Sequence, residues 1–354
     1  MRARVWCGGA AVLALFAAGC GGGDGGEARA AGGSEAGGGF PVKVSDCRGD
    51  ETTFDAAPKK IVTSNASSLE LLLRLGAGDK VIGTGFPPGK GTLPGALGTR
   101  AQQVPVLSKA VIPKEKLLGS GADLYIDTFA AMNMGGMGDA PKEEEFKAAG
   151  IKHIYLKSTA CAAMSKKPLT DLSAVEADIT ALGDVTGTGD RAAELVAGMR
   201  KRVGAVHKAV GGTAQKDRPS YFFFDYDAGT KQPMAICNKQ IGNAVITSAG
   251  ARNVFAGCDG DYQPVGWEDV VAKNPDWIQL AVRNRGSAAE TRAAYDEAQR
   301  WLERNPATKG LEAVRKGRFL RIGSEATTIA GVANADTVRR IAATLYPGKV
   351  KAGQ

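Results

Sequence analysis

The chain has 354 residues, 44% hydrophobic and 6% aromatic, with a formal net charge of +8. That length and apolar fraction suit two lobes of ordinary domain size. The charge is scattered, without a basic run or many aromatics beside it, which argues against a nucleic-acid surface. After the N-terminal segment no apolar stretch approaches the length of a membrane span.

Residues 1–4, Met-Arg-Ala-Arg, carry two positive charges, and residues 5–18, VWCGGAAVLALFAA, form an apolar run of fourteen. That run is short for a membrane span and suits the core of an export signal. Ala17, Ala18 and Gly19 are the small residues a signal peptidase needs, and Cys20 follows. The pattern resembles a bacterial lipobox, in which the cysteine is lipidated and becomes the first mature residue. One position departs from it: Ala17 stands where leucine is usual. The alternative is an ordinary secretory signal with an incidental cysteine. Residues 21–39 hold ten glycines and almost no apolar bulk, so they cannot offset the entropy of ordering and read as a flexible tether. The expected organisation is a signal peptide over 1–19, then a lipidated Cys20 and tether over 20–42, which anchors the chain to the outer face of the cytoplasmic membrane. Removing Arg2 and Arg4 with the signal leaves a net charge of +6, a mild excess that fits an anionic ligand or an acidic surface.

Along the body, Lys60–Thr63 (KIVT) reads as a buried strand, followed by a leucine-rich helix, SSLELLLRLGAG, with a glycine stop. DKVIG (79–83), ADLYID (122–127) and IKHIYL (151–156) are further strands. Between them, KEKLLGSG (114–121) and PKEEEFKAAG are helical, the latter opening on proline and closing on glycine. LSAVEADITALG follows, with a capping box expected from Ser173 to Glu176. Ala192, Val196, Met199, Val203, Val206 and Val210 recur at three or four residues, which marks a helix of about twenty residues with one apolar stripe. After the polar stretch 211–220 the alternation restarts. SYFFFD (220–225), DWIQLAV (276–282) and GRFLRI (317–322) are strands, with helices in GNAVITSAGARNVF, WEDVVAKN, AAYDEAQRWLERN and ADTVRRIAATLYP. Alternating strand and helix on both sides of one long helix predicts an α/β chain of two lobes with mainly parallel sheets. The expected bounds are 43–186 for the N-terminal lobe, 187–211 for the bridging helix and 212–354 for the C-terminal lobe.

Cys7 leaves with the signal and Cys20 takes the lipid, so Cys47, Cys161, Cys237 and Cys258 remain. An even number in an exported protein predicts two disulfides, for which three pairings exist. Cys47–Cys161 with Cys237–Cys258 is preferred, because each bridge then stays within one lobe. A metal site is disfavoured, since there is no CxxC and only two histidines occur. His153 and His207 lack a second ligand at suitable spacing and read as core or surface residues.

Several stretches resemble the substrate-binding lipoproteins of ABC importers for iron–siderophores, cobalamin and related metal chelates. They are APKKIVTSNASSLELLLRLGAGDKVIGTG, GADLYIDT and FKAAGIKHIYL in the first half, and IGNAVITSAGARNVF, GWEDVVAKNPDWIQL and GLEAVRKGRFLRI in the second. The resemblance runs from about residue 43 to the end of the chain. It implies the helical-backbone periplasmic binding protein fold, with ligand held in the cleft between lobes. It also implies a monomer without intrinsic cofactor or directly bound metal, whose partners are a small-molecule chelate and the permease subunits of an importer. Glu70 and Glu268 fall where the family keeps two surface glutamates that pair with permease arginines. Read from the residues alone, each also suits a helix start.

In open α/β sheets ligands lie beyond the carboxyl ends of the strands. That rule nominates Asn65, Phe86, Met132, Met134, Tyr226, Arg283, Arg285, Glu325 and Thr327 as cleft residues, with Trp267 as an aromatic wall. The two arginines suit an anionic chelate. Each position equally suits a solvated loop, and Trp267 a core residue. A catalytic role, as an exported α/β hydrolase, is disfavoured. The chain has neither a phosphate loop nor a G-x-S-x-G nucleophile elbow, and its last histidine is His207. The expected function is capture of an iron(III)–siderophore or similar chelate for import, with cobalamin, haem or another cofactor precursor as the alternative ligand.

Overall fold

The computed structural model describes residues 39–129 and 140–351. Cys20 and its flanks, and Met132 and Met134, lie outside the described residues.

The first lobe opens with an antiparallel hairpin, β1 (Val42–Ser45) and β2 (Glu51–Phe54), which the sequence reading did not assign. Next come β3 (Ile61–Thr63), α1 (Ala66–Leu75), β4 (Val81–Thr84), α2 (Gly95–Gln103), α3 (Lys114–Leu118), β5 (Leu124–Asp127), α4 (Glu143–Ala148), β6 (Lys152–Tyr155) and α5 (Lys157–Ala160). The four main strands form one parallel sheet in the order β4-β3-β5-β6. Helix α1 begins one residue earlier than expected. Its cap is Asn65, whose Oδ1 accepts from Ser67 N and Ser68 N at 3.1 Å each, so Ser67 and Glu70 form no capping box. Gly76 ends the helix at φ +83°, a conformation an L side chain rarely takes.

Two long helices follow, α6 (Ser173–Thr186) and α7 (Gly189–Val210). Ser173 is the first residue inside α6 rather than its cap, and Glu176 receives Arg200 Nε at 2.8 Å instead of closing a box. The stripe on α7 is buried as its spacing requires: Ala192, Val196, Met199, Val206 and Val210 face inward, while Val203 is half-buried. The helices cross closely at Gly183, where an added Cβ would collide with Ala192 Cβ.

The second lobe contains β7 (Ser220–Asp225), β8 (Met234–Ile236), α8 (Ile241–Ser248), β9 (Arg252–Asn253), β10 (Tyr262–Pro264), α9 (Trp267–Lys273), β11 (Trp277–Ala281), α10 (Ala288–Arg304), α11 (Glu312–Arg315), β12 (Phe319–Arg321), α12 (Ser324–Thr328) and α13 (Asn334–Leu345). Its parallel sheet runs β12-β11-β7-β9, and β8 with β10 makes a small antiparallel ribbon. Strand β7 shows why SYFFFD has no polar alternation. Tyr221 and Phe223 pack into one hydrophobic cluster, Phe222 and Phe224 into another on the opposite face. A strand covered on both sides is apolar on both sides.

Disulfides join Cys47 to Cys161 and Cys237 to Cys258, with Cα–Cα distances of 5.2 and 5.0 Å. The first ties the hairpin's turn to the end of α5, and the second ties the β8 edge to the chain entering β10. One continuous core runs from α1 in the first lobe through α6 and α7 to α13 in the second. Helix α7 is therefore a packed spine between the two sheets.

Candidate functional site

The loops after the strands of both sheets meet on one side of the spine. Ser67 Oγ donates to Ala330 O across the lobes. The loop after β4, containing Lys90 and Gly91, faces the loop after β11, containing Asn284 and Gly286, across a cavity of about 490 Å³. In this arrangement the carboxyl edges of two parallel sheets frame one site, which is where α/β ligand sites form.

On the first lobe the edge is tied together by side-chain hydrogen bonds. Ser64 Oγ and Thr128 Oγ1 lie 3.0 Å apart, and Asn65 Nδ2 donates to Thr128 Oγ1 at 2.8 Å. With its Oδ1 capping α1 and its side chain nearly buried, Asn65 fixes the edge and has little left to offer a ligand. Phe86 is a non-glycine residue at φ +32°, a conformation that costs about 1 kcal/mol or more. Two backbone bonds hold it, Ala66 N to Phe86 O at 3.0 Å and Phe86 N to Ala110 O at 3.3 Å. Its half-buried ring meets that of Phe129 edge-on at 5.6 Å. Phe129, which the sequence reading missed, directly follows the end of β5 by two residues, and the strand-end rule would have found it.

The second lobe carries the charge. Asp225, at the end of β7, accepts from Asp227 N and Ala228 N at 3.2 Å each and from Ser324 Oγ at 3.1 Å. Burial raises its carboxyl above the usual range despite those bonds and nearby Arg283. Asp227 accepts Arg283 N at 2.6 Å and forms an ion pair with Arg285, so Arg285 is engaged internally. Arg283 is exposed and its guanidinium makes no ion pair among the described residues. Glu325 is half-buried in the first turn of α12, and burial raises its carboxyl too, with Arg283 acting in the opposite sense.

None of the described residues expected in the cleft lines the 490 Å³ cavity, and three of them are engaged elsewhere. Trp267 is a core residue: it packs on Phe222, Phe224 and Trp301, and its Nε1 donates to Thr230 O at 2.7 Å. Thr327 is fully buried under α12, where Gln279 Nε2 reaches its Oγ1 at 2.9 Å. Tyr226 turns toward α10, donates to Glu297 Oε1 at 3.0 Å and lines a separate cavity with Arg300 and Trp301. In each case the strand-end rule located the backbone, but the side chain's apolar body or its nearest partner decided its direction. Conversely, the 490 Å³ cavity is lined by four cations that the sequence reading did not single out: Lys90, Arg292, Arg321 and Arg340. Arg321 is the last residue of β12 and was within reach of the same rule. A larger cavity of about 550 Å³ lies away from this edge, beneath β1 and beside α6.

Glu70 is shielded, with its carboxylate held by Arg74 Nε at 2.7 Å. Glu268 stands exposed in the first turn of α9. His207 is exposed on α7, whereas His153 is a core residue with charged company. Its Nδ1 lies 2.8 Å from Glu143 Oε1 and its Nε2 lies 3.5 Å from Asp127 Oδ2. No group of three His, Cys, Asp or Glu among the described residues is arranged to hold a metal ion.

Comparison with known proteins agrees with this architecture. Residues 61–326 match the family model described as periplasmic binding protein. The chain is 25% identical over 360 aligned positions to an uncharacterized ABC transporter substrate-binding lipoprotein, YvrC, of Bacillus subtilis, covering 99% of both. It is 26% identical to a cobalamin-binding protein of Halobacterium salinarum, over 69% of this chain and 59% of that one. Two solved structures share the fold at 24% identity, each covering 87% of this chain and 99% of the other. They are a periplasmic binding protein from Veillonella parvula, with a TM-score of 0.73, and a protein described as an ABC-type Fe3+-hydroxamate transport system from Saccharomonospora viridis, with a TM-score of 0.67. Two separate parallel sheets packed on a helical spine, together with a family match over most of the chain, establish that this chain belongs to the periplasmic binding protein family, a family of binding proteins rather than enzymes.

Proposed function

We propose that this protein is the substrate-binding receptor of an ABC importer, lipid-anchored through Cys20, and that it captures an iron(III)–siderophore or a similar metal chelate. The observation that carries this reading is the meeting of loops from both sheets around a cavity of about 490 Å³. Lobes held on a packed helix present such a site to a ligand without a large hinge motion. On the loops that follow β4, β5 and β11, Phe86, Phe129 and Arg283 offer an aromatic pair and a cation without an ion pair among the described residues, which suits a chelate with an apolar periphery and oxygen acceptors. Glu268 on the second lobe and Glu70 on the first are the docking points for the permease, one from each lobe. The cobalamin-binding relative supports a corrinoid as the second reading.

The test is spectroscopic. Protein from iron-limited culture carries a ferric charge-transfer band if the first reading holds, and a corrinoid spectrum if the second does. Absence of both, together with no tryptophan quenching across ferric chelates and cyanocobalamin, refutes the receptor assignment.

A further inference from the structure

Charge is distributed unevenly along the site. The cavity between the β4 loop and the β11 loop lies at the edge where the outer strands β4 and β12 of the two sheets are found. Every charged residue that lines it is a cation: Lys90 from the first lobe, and Arg292, Arg321 and Arg340 from the second. The uncharged lining is equally suited to an anion, with the side chains of Ser287, Thr291, Asn284 and Tyr295 around it.

Two of these cations are fixed and two are free. Arg321 is held by Asp296 at 2.6 Å and by Gln299 Oε1 at 3.0 Å, and Arg340 donates to Arg321 O at 2.6 Å. Their guanidiniums are therefore preorganised, which lowers the ordering cost of binding. Lys90 and Arg292 are exposed and make no ion pair among the described residues. The acids of the same lobe edge lie outside this cavity. Asp227 is neutralised by Arg285, Asp225 is bonded to Ser324, Asp296 is paired with Arg321, and Glu325 sits behind the wall at Asn284, its carboxyl raised by burial. Placing like charges on opposite lobes disfavours approach of the lobes when the cavity is empty. An anion between them reverses the sign of that term, because each cation then faces an opposite charge at short range.

We infer that the cargo is a net-anionic chelate whose carboxylate or catecholate oxygens enter this cavity between Lys90 and Arg292, Arg321 and Arg340. This inference rests on the receptor reading and narrows its substrate class. A neutral corrinoid and a cationic trishydroxamate complex both leave Lys90, Arg292 and Arg340 without a counter-charge, since among the described residues only Arg321 has one, from Asp296.

The experiment is a fluorescence titration of the detergent-solubilised full chain with a charge series: ferric tris-catecholate, ferric citrate, neutral cyanocobalamin and cationic ferrioxamine B. An anionic member is expected to bind tightest, with affinity that falls as salt rises. The double variant Lys90→Ala/Arg292→Ala is expected to weaken that binding about tenfold or more and to flatten its salt dependence, while Arg300→Ala, outside the cavity, leaves it unchanged. If cyanocobalamin or ferrioxamine B binds as tightly as the best anion, the inference is wrong and the receptor reading stands. If the anion binds but the double variant binds it equally well, the placement in this cavity is wrong. If no member of the series binds, the receptor reading falls and takes the inference with it.

Discussion

His153 offers a sharp test of how burial and charge are balanced in the first lobe. The ring is almost wholly buried between Tyr125 and Phe146 on one side and Tyr155 on another, at centroid distances of 5.4, 4.4 and 4.3 Å. Burial alone would lower its pKa, but the carboxylates of Asp127 and Glu143 outweigh that and raise it above 6.5. The other titratable groups near this cluster are Tyr125, Tyr155 and, from the hairpin turn, Asp46. A histidine with a raised folded pKa contributes stability that is complete below its unfolded value and is lost as pH rises through the folded value. A charge-assisted hydrogen bond such as the one at 2.8 Å to Glu143 contributes about 1.5–3 kcal/mol. His153→Gln keeps a hydrogen-bonding side chain and removes the charge. Because Glu143 is mostly exposed and a neutral imidazole keeps the bond at the alkaline point, only the ionic part is pH-linked, and chemical denaturation at about pH 5.5 and about pH 8.5 should show the variant losing about 1 kcal/mol more, relative to wild type, at the acid pH than at the alkaline one. The lowered carboxyl of Glu143, caused mainly by its hydrogen bond to His153, keeps that partner ionised at the acid point. An equal loss at both pH values would mean that the imidazolium does not stabilise the lobe, and that the variant reports packing alone.

Three further outcomes follow from the packing and the chemistry. Gly183→Ala should push α6 from α7 and cost about 1–3 kcal/mol by overpacking, read as a lowered denaturation midpoint with chelate binding retained; an unchanged midpoint would show that the helices separate freely there. Replacing Cys47 and Cys161 by serine removes a bridge spanning 114 residues, worth about 4–5 kcal/mol in the loop-entropy model, and non-reducing peptide mapping of the wild type should recover the Cys47–Cys161 and Cys237–Cys258 pairs. Glu70→Ala with Glu268→Ala should leave ligand binding intact and abolish uptake in cells. Because Arg74 already engages Glu70, the Glu268→Ala variant alone should account for most of that loss, and persistent uptake in the double variant would refute the docking assignment.

Much of the architecture was legible because periodicity reports burial, and burial decides these elements. The α7 stripe and the two-faced β7 are cases where side-chain spacing and observed packing coincide. The hairpin β1–β2 was not legible, because its residues are mostly half-exposed and it is held by a distant disulfide and by Lys152 Nζ reaching Thr53 O at 2.5 Å. Such long-range ties leave no local pattern. The site divided along the same line. Strand ends placed Arg283, Glu325 and Phe86 on the segments beyond the sheets, though none of them lines the cationic cavity, whereas the side chains of Thr327 and Trp267 are oriented by a helix and a core aromatic cluster rather than by the strand. The cationic cavity draws Lys90 and Arg340 from segments 250 residues apart, a proximity that only the assembled fold creates.

The Cys47–Cys161 bridge also sets a load path. A pull applied to the chain ahead of Val42 travels along β1 to Cys47 and then crosses the sulfurs directly to Cys161 and on toward α6. Strands β2 through β6 and helices α1 through α5 all lie in the covalent loop between those two cysteines. Tension therefore bypasses the entire first sheet. If the N-terminus is moored to a membrane, thermal tugging on that mooring strains the hairpin and the spine but bypasses the parallel strands of the first sheet.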